Sequence, residues 1–154
     1  MRNYGAFSGN DKDFEALLRE SPSDYARLYY EHDDRVANKW HHYLDIYDRT
    51  LSRFRGTEVK FLEIGVRFGG SLQIWRKFLG PDATIHGLDI DPKSAFADAP
   101  EHRVHIGSQV DTGLLQSIVD EMGGVDVVLD DASHVNAHQI ETFEFLYEKV
   151  SKDG

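Results

Sequence analysis

The chain has 154 residues, 40% of them hydrophobic and 29% charged, which describes one soluble globular domain able to bury a core. A formal net charge of -10 argues against nucleic acid and anionic membrane as partners, since Arg49, Arg53 and Arg55 are interleaved with Asp45, Asp48 and Glu58. The lack of cysteine excludes disulfides and thiolate metal sites, and no apolar run or signal-peptide pattern directs the chain to a membrane, so a cytoplasmic location is expected.

Residues 1–10 carry no periodicity and read as a loosely docked terminus. Phe14, Leu17 and Leu18 follow helical spacing from Asp11 to Glu20, and Ser21-Pro22-Ser23-Asp24 stops that helix and caps another through about His32. Trp40, Tyr43, Leu44, Tyr47, Leu51 and Phe54 recur at steps of three, four and seven, which predicts a helix ended by Gly56. Its start, Asn38 to Tyr43, is polar and aromatic, and suits either an interfacial helix end or a lid over a pocket. Residues 1–57 are thus expected to form an N-terminal helical extension or lid.

The stretch FLEIGVRFGGS (Phe61 to Ser71) joins a buried strand, Val59 to Ile64, to a glycine-rich turn and a helix from Leu72 to Leu79. Gly80-Pro81 stops that helix, and Thr84 to Asp89 reads as a second strand. This strand-helix-strand unit favours parallel pairing through a right-handed crossover. Lys93 to Pro100 is a loop or short helix, Arg103 to Gly107 a third strand, and Leu114, Leu115, Ile118, Val119 and Met122 a helix ended by Gly123-Gly124. Val125 to Asp130 makes a fourth strand, and a helix from about Asn136 to Val150 is expected to bury Ile140, Phe143, Leu146 and Tyr147. Such alternation means an α/β layered sheet. Ser151 to Gly154 is a turn signal after which another strand would normally follow. The chain is accordingly expected to be a fragment of a longer protein, or to have its VDVVLD edge paired by another chain, and a homo-oligomer is left open.

Ligands of open α/β sheets bind beyond the carboxyl ends of the strands. Those ends carry Glu63, Gly65 and Gly69; Asp89; Gly107-Ser108-Gln109; and Asp130-Asp131-Ala132-Ser133-His134. A dinucleotide site needs G-x-G-x-x-G, whereas the spacing here is G-x-x-x-G-G with Glu63 two residues before the first glycine. A carboxylate there repels pyrophosphate and suits a ligand with a cationic centre, while Asp89 can accept two ribose hydroxyls. None of the other histidines is expected to have a chemical role: His138 reads as an exposed helix-start residue, His86 as a strand residue packed or facing solvent, and His102 and His105 as solvent-edge residues, while Trp75 and Phe78 read as core.

On these residues the sequence resembles the class I S-adenosylmethionine-dependent methyltransferases. KWHHYLDIYDRTL, LEIGVRFGGSLQIW, IHGLDID and VVLDDASHVNAHQI, in that order from Lys39 onward, are similar to the branch holding the macrocin and mycinamicin sugar O-methyltransferases and the cephalosporin hydroxylase-like proteins. The resemblance implies a Rossmann-like parallel sheet of order 3-2-1-4 with flanking helices, and an S-adenosyl-L-methionine-binding domain over residues 58–154. It places Glu63, Gly65, Gly69 and Ser71 along the methionine and ribose, Asp89 on the ribose, Ser108 and Gln109 beside the adenine, and Asp130 near the cofactor. It makes Asp131 a Mg²⁺ ligand and His134 a base acting on the hydroxyl of a small-molecule acceptor, such as a sugar of a glycosylated natural product. A hard cation lowers the hydroxyl pKa and an imidazole takes the proton, so the assignment is chemically coherent. Because the branch has further acidic ligands after a fifth strand, weak metal binding and little turnover are expected of this chain alone. The rival expectations are a non-catalytic S-adenosylmethionine-binding or assembly module and an NAD-type nucleotide-binding domain; without the resemblance, Asp130-Asp131 would read as a cap for the last helix, with Ser133 or Asn136 as N-cap.

Overall fold

A computed structural model describes residues 23–152; the expected helix at 11–20 and the terminus before it lie outside the described residues. Helix α1 (Asp24–Glu31) begins at Ser23, whose hydroxyl accepts the Ala26 amide at 3.1 Å. Helix α2 (His41–Leu51) runs into a single 3₁₀ turn, Ser52–Phe54, so the periodic stretch ends near Gly56 as its spacing predicts. Then follow β1 (Lys60–Ile64), α3 (Gly70–Leu79), β2 (Thr84–Asp89), a 3₁₀ segment at Pro92–Ala97 and β3 (Arg103–Ile106). Helix α4 (Thr112–Met122), β4 (Val127–Asp130) and α5 (Asn136–Tyr147) complete the described chain.

The four strands form one wholly parallel sheet in the order β3-β2-β1-β4. After β1 the chain builds outward through β2 and β3, then crosses back to place β4 on the other side of β1. The crevice at the carboxyl end of β1 is therefore the point where strand order reverses, the place where open α/β sheets bind ligands.

Strand alternation sends successive β1 side chains to opposite faces. Phe61 joins a core with Tyr25, Leu44, Tyr47, Trp75 and Phe78, while Leu62 and Ile64 join Leu88, Leu115, Ile118 and Leu146 on the other face. The first core includes residues from α1 and α2, so the N-terminal helices share one apolar interior with the sheet. Trp75 is wholly buried, with ring centroids 4.3 Å from Tyr25 and 4.7 Å from Phe61; truncating it to alanine would cost ~3–5 kcal/mol.

Two expectations need correction. Of the apolar residues expected to pack from α5, Leu146 is buried, but Ile140, Phe143 and Tyr147 are exposed, Phe143 by 63%. The helix buries Thr142 and Leu146 and packs Phe145 partly buried beside them, while Phe143 and Tyr147 border a groove along β4, on whose outer side no strand pairs among the described residues. His102, expected at a solvent edge, is buried, and its Nε2 lies 2.9 Å from the Ala97 carbonyl oxygen, fastening the Pro92–Ala97 segment; His86 takes the packed one of its two readings, on the α4 side of the sheet.

Candidate functional site

A cavity of about 470 Å³ opens at the carboxyl ends of the strands. Its walls come from the loops after β1 (Gly65–Arg67), β2 (Asp89, Ile90), β3 (Gly107–Gln109) and β4 (Asp131–His134), and from the Val36–Trp40 segment before α2. The volume lies in the range of small-ligand sites.

The loop after β1 is shaped by close approach. Gly65 has φ +99°, and a Cβ there would stand 2.3 Å from the Asp131 carbonyl oxygen, so a side chain would push the β1 and β4 loops apart. At Gly70, in the first turn of α3, a Cβ would meet the Arg35 carbonyl oxygen at 2.3 Å, which explains how the segment before α2 can lie against the helix start. Arg67 (φ +52°) and His134 (φ +54°) are the non-glycine residues with left-handed backbones among the described residues, and both line the cavity. Such strain concentrates at functional sites.

Under the cavity floor lies a buried ion network. Alternation on β1 turns Glu63 toward the helical face of Phe61, where its carboxylate is 0% exposed. One oxygen accepts the Ser71 hydroxyl at 2.7 Å and the other the Lys39 ammonium at 2.8 Å. Lys39, itself 3% exposed, also donates to Asp131 Oδ2 at 2.6 Å. Burial works against the lysine charge, but the two carboxylates outweigh it and raise the pKa above the ordinary lysine value. Asp131 is 28% exposed, and its other oxygen is 3.8 Å from His134 Nε2, beyond a hydrogen bond but within reach of an ion pair.

Asp89 holds the next loop. Its Oδ2 accepts the amides of Val66 and Arg67 at 2.9 and 2.6 Å, and Oδ1 accepts the Asp91 amide at 2.9 Å. These bonds fix the β1 turn relative to the end of β2 and keep the carboxylate at the cavity rim.

The chain is 35% identical over 142 residues to the 8-demethyl-8-(2-methoxy-alpha-L-rhamnosyl)-tetracenomycin-C 3'-O-methyltransferase of Streptomyces olivaceus, covering 86% of this chain and 35% of that protein. It is 37% identical over 131 residues to the demethylmacrocin O-methyltransferase of Streptomyces fradiae (77% of this chain, 32% of that one). With the mycinamicin VI 2''-O-methyltransferase of Micromonospora griseorubida it shares 38% over 121 residues (74% and 30%). A solved structure of the MycE methyltransferase from the mycinamycin biosynthetic pathway, in complex with Mg, SAH and mycinamycin VI, superposes with a TM-score of 0.75 at 28% identity. That match covers 96% of this chain and 44% of MycE. The chain is a relative of the macrocin and mycinamicin sugar O-methyltransferases. Its sheet, order included, is the Rossmann-like class I methyltransferase sheet. No family model matches it. The chain spans about a third of the length of these curated relatives.

Among the residues singled out in the sequence of this methyltransferase relative, Gly65, Ser71, Asp89, Ser108, Gln109, Asp131 and His134 line the cavity. Glu63 sits directly behind the wall, bonded to Ser71 and Lys39. Gly69 is the N-cap of α3, outside the lining. Asp130 faces a second, apolar groove beside β4, and its oxygens accept from Gln109 Nε2 and the Ala132 amide. The Gln109 side chain is spent on tying loops together, donating to Asp130 and Thr142 and accepting the Ser133 amide at 3.2 Å. Neither Ser133 nor Asn136 caps α5; Val135 holds the N-cap position, and the Ser133 hydroxyl accepts the Val135 amide one turn earlier.

Lys39 is the residue that the sequence did not single out. Its only local signal was its place at the start of KWHHYL, the segment read as either an interfacial helix end or a lid. That segment does reach the cavity, through Asn38, Lys39, Trp40 and Tyr43.

Proposed function

We propose that the chain is the cofactor-binding part of an S-adenosylmethionine-dependent O-methyltransferase acting on a hydroxyl of a small molecule, in particular a sugar of a glycosylated natural product. The observation that carries this reading is the cavity at the switch point, which gathers the Gly65 turn, the strand-end carboxylate of Asp89 and the His134 imidazole in one place. The relatives' names and the SAH-bound MycE structures support it.

The residues fit the cofactor. Gly65 leaves backbone exposed at the cavity wall, Asp89 presents a carboxylate suited to ribose hydroxyls, and Ser108 and Gln109 border the far end. S-adenosylmethionine supplies an electrophilic methyl group on a sulfonium centre. The sulfonium needs no acid, so the protein's tasks are to place the acceptor in line and to take its proton. His134 is assigned the proton: its imidazole is 71% exposed at the mouth, and its Nε2 stands 3.8 Å from Asp131 Oδ1.

Mg²⁺ is present in the MycE complexes, and Asp131 is the residue here that would offer it an oxygen. Among the described residues the donor set falls short of a metal site. Glu63 is sealed behind Lys39, and the Lys39 ammonium already occupies Asp131 Oδ2, so the two carboxylates are bridged by an organic cation. No step is routed through the metal.

That same ion pair favours a second reading, a module that binds S-adenosylmethionine without catalysing transfer. Calorimetric titration with S-adenosylmethionine, S-adenosylhomocysteine and NAD tests the first point, and tighter binding of NAD would overturn it. A methyl-transfer assay on a form extended past Gly154 separates enzyme from binding module.

A further inference from the structure

We propose that His86, His105 and Glu121 form a binding site for a nitrogen-preferring divalent cation such as Zn²⁺, on the α4 face of the sheet and separate from the methyl-transfer cavity. None of the three lines that cavity.

The placement follows from the fold. Alternation along β2 turns His86 to the same face as Leu88, and the β2–β3 register sets His105 beside Leu88. Helix α4 covers this face and brings Glu121 over the pair. One ligand atom from each of the three residues lies within 4.8 Å of the other two. His86 Nδ1 and His105 Nε2 are 2.9 Å apart.

Two imidazole nitrogens that close must share a proton, and a cation can take the place of that proton. Zn–N bonds of about 2.0–2.1 Å in a tetrahedral site put neighbouring nitrogens ~3.3 Å apart, so a small opening of the pair suffices. Burial, then His105, hold the His86 pKa down to about 4, which leaves its ring neutral and free to donate a lone pair at neutral pH.

The charges facing the pair are Glu121, Asp98 and Arg103. Arg103 Nε lies 3.9 Å from both Glu121 Oε1 and Asp98 Oδ1, so Asp98 can keep the guanidinium when Glu121 turns to a cation. Two imidazoles and one carboxylate, with water in the fourth position, suit zinc and disfavour magnesium. Bound there, the cation would clasp β2, β3 and α4 together.

The test uses tag-free 154-residue protein and Co²⁺ as a spectroscopic probe, in excess Mg²⁺. The expected result is one equivalent of Co²⁺ with visible bands of tetrahedral intensity, displaced by Zn²⁺. His105→Asn and Glu121→Gln should each weaken binding by more than about tenfold, since loss of even an outer-shell partner costs that much. Asp131→Asn should leave the spectrum unchanged. Glu121 is half exposed, so its replacement keeps the fold even where a histidine variant does not. Absence of the bands, unchanged affinity in Glu121→Gln, or loss of binding in Asp131→Asn would each overturn the proposal.

Discussion

The Lys39 ammonium lies 2.6 Å from Asp131 Oδ2 and bridges it to Glu63 Oε1, 2.8 Å away, across a sequence separation of 92 residues. The segment before α2 is thereby latched to the loops after β1 and β4. Removing one partner of a buried ion pair strands the other's charge, at ~3–5 kcal/mol. Lys39→Met should lose stability of that order in urea denaturation. Lys39 has a raised pKa, so its contribution is complete below the unfolded value near 10.5 and is lost only as pH rises above that. The Lys39 contribution should therefore be constant with pH around neutrality, and wild-type stability should fall in strongly alkaline buffer.

Acid should act through the histidines. His86 has a folded pKa near 4, below its ordinary 6.5, and burial lowers those of His102 and His105 in the same direction. The unfolded chain then binds more protons between those values, so stability is full above about pH 6.5 and declines as pH falls toward 4. Denaturation midpoints measured from pH 7.5 downward should fall over this window, with a shallower slope in His86→Phe.

Gly65→Ala would combine a left-handed φ with a Cβ 2.3 Å from a backbone oxygen. Non-glycine strain of this type alone costs ~1–3 kcal/mol, and the collision adds to it. Calorimetry should show S-adenosylhomocysteine binding abolished and the melting temperature lowered.

Asp89→Ala should weaken cofactor binding more than it weakens the fold. Hydrogen bonds to a charged group are worth ~1.5–3 kcal/mol, so losing the ribose acceptor predicts about a tenfold to hundredfold rise in the dissociation constant for S-adenosylhomocysteine. Equal losses in binding and stability would instead mark Asp89 as a loop fastener, through its bonds to Val66 and Arg67.

His134→Ala, in a form extended past Gly154, should reduce methyl transfer by about 10²–10⁴-fold, the usual contribution of a general base. Cofactor affinity should stay the same. Full activity of this variant would remove His134 from the proton-transfer role.

Much of the architecture was readable in one dimension because it rests on local rules. Period-3.6 spacing gave α2 and α4, short apolar runs between turn residues gave β1 to β4, and Gly56, Gly80 and Gly123 marked the ends, because each of these signals acts within a few residues. The last helix was misread for the same reason: Ile140, Phe143 and Tyr147 have the composition of a buried face, but burial depends on what stands opposite, which sequence spacing does not encode.

The sequence by itself determined that a glycine turn, two strand-end acids and DDASH would meet at the carboxyl edge of a parallel sheet, since strand order and polarity deliver them there. Only the tertiary structure decided how their charges are balanced. Glu63 and Asp131 share the one ammonium of Lys39, which comes from a helix start far away in the chain, and His86 meets His105 and Glu121 through register and helix packing. Such pairings are set by side-chain direction in three dimensions, where electrostatic energy falls with distance in space and is blind to distance along the chain.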